Sequence, residues 1–419
     1  MIKLTTQQLA QILNANLIGN EQTIVENINT DTRKSVSNSL FFALKGEYFD
    51  AHQYLDKAVE QGATALVVQQ VNTEIATPQL VVADTRLALG QLAKWLREKI
   101  NPRTVAMTGS SGKTTVKEMT ASILQQTAGN PEAVLFTNGN FNNDIGVPLT
   151  LLRLTEQHKF AVIELGANHQ GEIDYTTDLA QPEAALVNNV AAAHLEGFGS
   201  IEGVAHAKGE IYRGLTPNGV AIINSEHNYI ELWKKEIGSH AIQYFNGGDY
   251  KAENVKHSPN GSMFTLVSPK GSIEINLPYL GEHNVKNALA ATALAMNVGA
   301  SLADVKAGLE HSSQVKGRLF PIQVNENLLL LDDTYNANVD SLQAAIDVLK
   351  GYDAFRILLV GDMKELGEDS LKCHQQVGEH AKQAKLDLVL SYGTESAVIS
   401  EAVLGKHFTD KAELTAYAL

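Results

Sequence analysis

The residues Val105–Thr115, V-A-M-T-G-S-S-G-K-T-T, constrain the fold of this chain more than any other stretch. Arg103 to Thr108 has the composition of a short β-strand, and Gly109 and Gly112 end it. From Thr114 to Gln126 the apolar residues Val116, Met119, Ile123 and Leu124 then fall on one face of a helix. Strand, glycine-rich turn and helix start, in that order, aim several backbone N–H groups and a positive helix end at one point. Such a unit is a phosphate-binding loop, here made of Gly109, Ser110, Ser111, Gly112, Lys113, Thr114 and Thr115. The Lys113 ammonium is expected on the β- and γ-phosphates of a nucleotide, and the Thr114 hydroxyl on Mg²⁺. Met107 stands where the usual pattern has a glycine, so the match is to a compressed T-G-x-x-G-K-T form.

At 419 residues the chain has room for two or three domains. A formal charge of -14 argues against nucleic acid or an anionic membrane as partner, so an anionic substrate must be held by local Lys, Arg and backbone donors. The single cysteine, Cys373, excludes an internal disulfide and a multi-cysteine metal site, as suits a reducing cytoplasm. Met1 to Leu13 lacks the basic start and long apolar core of a signal peptide, and no apolar run is long enough to span a bilayer. A cytoplasmic monomer is expected.

Three α/β blocks follow one another. The first, residues 1–82, carries a helical stretch at Thr6–Leu13 and strands near Leu40 and Val67. An amphipathic helix, Leu87–Ile100, enters the second block, residues 83–313. Its strands include Thr104–Met107, Phe160–Glu164, Ala185–Asn189 and Val220–Asn224, alternating with helices as in a parallel sheet. From Gly261 to Leu280 short strands alternate with turns, suggesting an antiparallel subsheet, and the helix Asn284–Val298 closes the block. The third block, residues 314–419, offers strands at Leu328–Leu331, Arg356–Val360 and Leu386–Leu390, each followed by a helical stretch. It is expected to be a small doubly wound, Rossmann-like domain with few strands.

Several residues stand where chemistry is done. Glu164 ends the strand F-A-V-I-E, at the sheet edge where ligands bind in open α/β folds. It is placed either to hold Mg²⁺, directly or through water, or to stand as a solvated strand-end carboxylate. His194 follows the next strand by a short loop and is either a ligand at that edge or structural. In the helix expected over Ile201–Leu215, Lys208 lies on the apolar stripe with Val204 and Ile211. Buried there, its amine tends to neutrality and can take up carbon dioxide as a metal-binding carbamate; alternatively the side chain snorkels to solvent. The loop Thr137–Pro148 carries Asn138, Asn140, Asn142 and Asn143, either a simple turn or a set of paired donors and acceptors. D-D-T-Y-N-A-N, Asp332–Asn338, begins at another strand end. Arg318, in G-R-L, lies at the junction of blocks two and three, where a hinge could swing it onto a phosphate.

Taken together, D-T-R-K from Asp31, F-F-A-L-K-G-E-Y-F-D-A-H from Phe41, the phosphate loop, N-G-N-F-N-N-D-I-G-V-P-L-T from Asn138, I-E-L-G-A-N-H-Q-G-E-I from Ile163, N-N-V-A-A-A-H-L-E-G-F-G from Asn188, G-E-H-N-V-K-N-A-L-A-A from Gly281 and D-D-T-Y-N-A-N resemble the Mur ligases of peptidoglycan synthesis. The resemblance runs from Asp31 to the end. The asparagine loop and D-D-T-Y-N-A-N resemble the branch that adds D-alanyl-D-alanine to UDP-N-acetylmuramoyl-tripeptide. This likeness implies a small α/β N-terminal domain for the uridine nucleotide, with Thr32, Arg33, Lys45 and Gly46 in matching positions. It implies a central phosphate-loop domain for ATP and the muramyl peptide, and a Rossmann-like C-terminal domain that brings the dipeptide.

In the likeness, Lys113, Thr114, Glu164 and His194 serve ATP and two Mg²⁺ ions, Lys208 is carbamylated, and Asn287 lies near adenine. Arg318 and Asp333, with Asp332 as an alternative, reach the nucleotide on closure. The asparagines of the loop, with Asn336 and Asn338, are candidates for holding substrate. Two departures stand out: Val339 replaces a proline after N-A-N, which is expected to loosen that loop, and relatives continue past this end with a further strand and helix, so the third domain is expected to be incomplete. The rival readings are a folylpolyglutamate synthetase, which the D-T-R and F-F-A-L-K-G motifs oppose, and a nucleotide switch. Against the switch, no N-K-x-D or D-x-x-G motif is present.

Overall fold

The computed structural model of the protein describes residues 2–192 and 195–418. Its centre is a six-stranded parallel sheet in the order Ala241–Phe245, Val220–Asn224, Ala184–Val187, Arg103–Thr108, Phe160–Glu164 and Val134–Phe136. The inner strands are near-continuous apolar runs because both faces are covered; Phe160–Glu164 and Ala184–Val187 are buried throughout. Arg103–Thr108 lies between those two strands, with Met107 opposite Glu164 on one side and Leu186 on the other. The chain leaves it through the helix Lys113–Ala128, forms first Val134–Phe136 and then Phe160–Glu164 on one side, and crosses to the other side as Ala184–Val187. The turn Gly109–Gly112 therefore lies where the strand order reverses, the place at which open α/β sheets bind ligands.

One face of the sheet packs on Lys113–Ala128, Glu282–Asn297 and an antiparallel three-stranded sheet, Lys251–Ser258, Gly261–Ser268 and Gly271–Leu277. The other packs on Glu172–Ala180 and the helix Thr85–Ile100. That second helix starts two residues before the expected Leu87, because the Asp84 carboxylate accepts hydrogen bonds from the N–H groups of Arg86 and Leu87. Its Leu89, Leu92 and Leu96 share one core with Leu9, Leu40 and Leu80 of the first block and with Ile173 and Leu179. The first block itself is a five-stranded sheet in the order Asn16–Ile18, Gln79–Val81, Ala63–Val68, Ser39–Phe42, Asn27–Asn29. Among the described residues no helix is long and apolar enough to cross a membrane.

Three expectations are corrected. The helix expected over Ile201–Leu215 is α-helical only over Ile201–Gly209 and tightens to a 3₁₀ turn over Glu210–Gly214. Gly209 lets the Trp233 indole approach so closely that a Cβ would lie 2.5 Å from it. The buried Glu210 carboxylate turns to accept from the N–H groups of Gly171 and Asp174 at the start of a neighbouring helix. A further helix, Leu302–Glu310, follows the one expected to close the second block; a capping box between Ser301 and Asp304 starts it.

In the third block Leu328–Asp332 pairs antiparallel with Phe320–Asn325 as a hairpin. The parallel sheet there consists of Ile357–Gly361, Leu388–Tyr392 and Lys406–Phe408. The two-residue connection Glu326–Asn327 makes the sequence neighbour the nearer partner, and the Asn327 N–H closes the turn on the Asn325 side chain at 2.9 Å. Cys373 is buried in the core of this block, with Ile346, Val377 and Ile399.

Leu302–Glu310 crosses Lys113–Ala128 at Gly308, where an added Cβ would lie 2.4 Å from the Ile123 Cα. Gly308→Ala is expected to destabilise the protein by about 1–3 kcal/mol through overpacking against backbone. Urea unfolding measures it, and wild-type stability would contradict the close crossing.

Candidate active site

The phosphate loop is gripped by its neighbours. Gly109 and Gly112 have φ of +154° and +73°, and a Cβ on Gly112 would lie 2.5 Å from the Asn188 side-chain nitrogen and 2.7 Å from the Asn287 side-chain oxygen. The Asn188 amide donates to the Ser111 carbonyl at 3.1 Å and to Asn287 Oδ1 at 2.9 Å. Asn287 in turn donates to Asn284 at 2.9 Å, and Asn284 to the Leu280 carbonyl at 2.8 Å. Asn189 Oδ1 accepts the Ser111 N–H at 2.8 Å, and the Ser110 hydroxyl accepts the Ala191 N–H at 2.9 Å. Thr115 is buried in the first turn of the helix. The Lys113 ammonium folds back onto the Gly109 carbonyl at 2.7 Å.

Across the loop, Glu164 is 2% exposed, which sets aside a solvated carboxylate. Its Oε2 accepts from the Thr114 hydroxyl at 3.2 Å and its Oε1 from the Asn142 amide at 2.9 Å, while its own N–H donates to the Thr137 hydroxyl at 3.0 Å. Lys208 is also 2% exposed, so it does not snorkel; its nitrogen lies 6.0 Å from the Phe198 ring centroid. Burial, and then the Lys113 charge, hold its amine well below the ordinary lysine range. Burial lowers Lys113 too, against the pull of Glu164 and with the help of Arg318. His194 lies outside the described residues.

Arg318 reaches this site from a backbone with positive φ on both sides, +75° at Gly317 and +50° at Leu319. Its guanidinium stacks 4.1 Å over the Tyr335 ring and donates to the Thr114 hydroxyl at 3.5 Å. Its buried Nε has no hydrogen-bond partner among the described residues. Asp333 accepts the Leu319 N–H at 3.1 Å, and burial raises its carboxyl. Asp332 instead closes its own turn with Thr334. Ser111, Gly112, Asn188, Asn287, Arg318 and Asp333 line one cleft.

The remaining candidates separate. Of the loop asparagines, Asn142 meets Glu164, Asn143 caps the turn into Gly146–Leu151 at 2.8 Å, and Asn138 and Asn140 are exposed. Asn336 is exposed, whereas the Asn338 side chain caps the helix Val339–Lys350. Val339 is buried in the third block's core as the first residue of that helix. In the first block the Asp31–Arg33 turn and the Lys45–Asp50 loop leave the ends of two adjacent parallel strands. The Arg33 guanidinium holds Asp31 down to about 2. Asn188, Asn189, Asn284 and Tyr335 were not singled out from the sequence, although each lies inside a motif that was. Paired asparagines at a strand end, N-N-V, were the available signal.

The donor set suits a phosphate with Mg²⁺. A hydroxyl and a buried carboxylate meet at the loop, and the Arg318 guanidinium, whose Nε has no partner among the described residues, reaches the same hydroxyl. Mg²⁺ typically takes one or two carboxylates, with phosphate and water completing its shell. No group of three or more His, Cys, Asp or Glu side chains able to hold a metal occurs among the described residues.

Residues 107–295 match the family described as Mur ligase middle domain, and residues 317–419 match Mur ligase, glutamate ligase domain. The chain belongs to the Mur ligases. It is 79% identical to the UDP-N-acetylmuramoyl-tripeptide--D-alanyl-D-alanine ligase of Haemophilus influenzae over 99% of this chain and 91% of that protein. Identity to the Escherichia coli protein of the same name is 55%, over 99% and 91%. The crystal structure of MurF from Acinetobacter baumannii superposes with a TM-score of 0.95 at 41% identity, covering all of this chain and 92% of that one. The MurF ligase of Thermotoga maritima in complex with ADP gives 0.84 at 26% identity, over 94% and 91%.

His283, beside Asn284 in the cleft, is lowered from 6.5 to about 4, chiefly by burial, with Asp347 opposing and His257 adding. The unfolded chain therefore binds this proton more readily, and stability falls as pH drops from 6.5 towards 4. His283→Gln is expected to flatten that part of the stability–pH curve in urea unfolding. An unchanged slope would contradict the burial.

Proposed function

We propose that this protein is an ATP-dependent amide ligase that joins D-alanyl-D-alanine to UDP-N-acetylmuramoyl-tripeptide, giving the UDP-muramoyl-pentapeptide for peptidoglycan. The observation that carries this reading is the meeting of Thr114, Glu164 and Asn142 at the phosphate loop, with Lys113, Lys208 and Arg318 around it. The relatives named above bear that activity in their names.

The reaction brings two anions together. A terminal carboxylate oxygen of the tripeptide attacks the γ-phosphorus of ATP, the bond to the β-phosphate oxygen breaks, and ADP leaves. The acyl phosphate is then attacked by the D-alanyl-D-alanine amine, and the tetrahedral intermediate expels inorganic phosphate as the amine gives up its proton. The protein supplies alignment and charge neutralisation. The loop N–H groups and Lys113 take the phosphates, and Arg318, against the Thr114 hydroxyl, adds charge there. Asn142 orients the Glu164 carboxylate, with Asp333 and Asn287 on the nucleoside side. Bound Mg²⁺ would be held by Thr114, Glu164 and, from the family likeness, His194 and a carbamate on Lys208, and would supply the positive charge that lets the two anions approach. A neutral Lys208 amine is the form that adds to carbon dioxide, and its burial favours that form.

The three blocks divide the substrates among them. Residues 1–82 take the uridine nucleotide, 83–313 ATP and the muramyl peptide, and 314–419 the dipeptide. We assign the reaction to the cytoplasm, a reading that the family's part in peptidoglycan synthesis supports.

Phosphate release that requires both UDP-muramoyl-tripeptide and D-alanyl-D-alanine tests the assignment; release with another acceptor pair only would overturn it. Lys113→Ala should lower turnover by about 10²–10³, as for one strong transition-state charge. Lys208→Ala should abolish ligation with the fold intact and recover in part on adding a small carboxylate. Full activity of either variant contradicts its role.

A further inference from the structure

Lys117 lies one turn along the helix from Lys113 and takes no part in the chemistry above. It is 1% exposed, one of the largest fully buried side chains of the protein. Its ammonium donates to the Thr137 carbonyl at 2.8 Å, pairs with Glu118 at 2.9 Å and lies 5.8 Å from the Phe136 ring centroid. Burying an ammonium is costly, and a leucine or methionine would fill the same space without that cost. What the charge adds, beside its pairing with Glu118, is a fixed position for one carbonyl.

Thr137 is itself fully buried and tied three ways. Its carbonyl takes Lys117, its N–H donates to Val162 at 3.1 Å, and its hydroxyl accepts the Glu164 N–H at 3.0 Å. It is also the root of the asparagine loop, whose far side returns Asn142 to the Glu164 carboxylate and to the Gly166 N–H at 2.8 Å. Both ends of Glu164, backbone and carboxylate, thus hang from the short segment that Lys117 anchors to the phosphate-loop helix.

We propose that Lys117 is a positioning residue for Glu164. By fixing Thr137 it sets the distance between the Glu164 carboxylate and Thr114, and with it the geometry offered to a divalent cation at the loop. The inference rests on the reading of Glu164 as a metal-holding carboxylate and adds a residue with no metal or substrate contact of its own. A lysine that only stabilises the fold would change melting temperature and leave cation affinity alone.

The test is equilibrium binding of Mn²⁺, followed by electron paramagnetic resonance, to the full chain with a non-hydrolysable ATP analogue, and binding of that analogue without metal. Lys117→Met and Thr137→Val are each expected to weaken Mn²⁺ binding by about tenfold or more, as for loss of a group that orients a ligand. Metal-free analogue affinity should stay at the wild-type value. Adding Lys117→Met to Asn142→Ala should weaken Mn²⁺ binding less than it does in the wild type, because the anchored loop has then lost the amide it delivers. Wild-type Mn²⁺ affinity in folded Lys117→Met, or equal losses of cation and metal-free nucleotide binding, overturns the proposal. If Lys117→Met does not fold, Lys117→Gln, too short to hold the Thr137 carbonyl in the same way, decides in its place. No Mn²⁺ binding by the wild-type complex overturns the reading of Glu164 itself, and this inference with it.

Discussion

The contact on which the rest of the site depends is Gly112 seated under the side-chain amides of Asn188 and Asn287. It joins three elements distant in the chain: the loop after Arg103–Thr108, the exit of Ala184–Val187 and the first turns of Glu282–Asn297. With no side chain there, Gly112 can take a positive φ and start the helix at Lys113. That start fixes where Thr114 points, and Thr114 fixes the near edge of the Glu164 carboxylate. A looser loop would leave the same residues present but mis-aimed, and anion chemistry depends steeply on aim.

Charge is distributed against the average. The protein carries a formal charge of -14, yet at the phosphate loop Lys113 feels both the buried Glu164 and Arg318, and Lys208 in turn feels Lys113. Desolvation strengthens each of these interactions and makes each cation costly without an anion beside it. A nucleotide polyphosphate and a substrate carboxylate are anions that would relieve that cost. The same logic accounts for the Arg318 Nε, which has no hydrogen-bond partner among the described residues and lies between two residues of positive φ, where a bound phosphate could complete it.

How much of this was legible depends on the range of each interaction. The phosphate loop was plain because strand, glycines and helix lie within a few residues of one another, and Lys208 stood out because one helical face shows the conflict. Asn188 and Asn287 were hidden as a pair, since nothing in either neighbourhood says that they meet. The end of the α-helix at Gly209 depends on Trp233, and the burial of Lys117 on Thr137; both partners come from other elements. Asn338 lay in a suggestive motif but serves as a helix cap, a role that its offset from Ser341 could have shown. Leu328–Asp332 had strand composition, and its pairing with the preceding strand was decided by a turn of two residues.

The central claim is that the site exists to let a carboxylate attack the γ-phosphate of ATP. Substrate labelled with ¹⁸O in the terminal carboxylate of the tripeptide tests it directly. If the carboxylate attacks first, one labelled oxygen bridges to phosphorus and departs with it, so turnover with D-alanyl-D-alanine should release ¹⁸O-labelled inorganic phosphate. Unlabelled phosphate alongside normal formation of the pentapeptide would contradict the account.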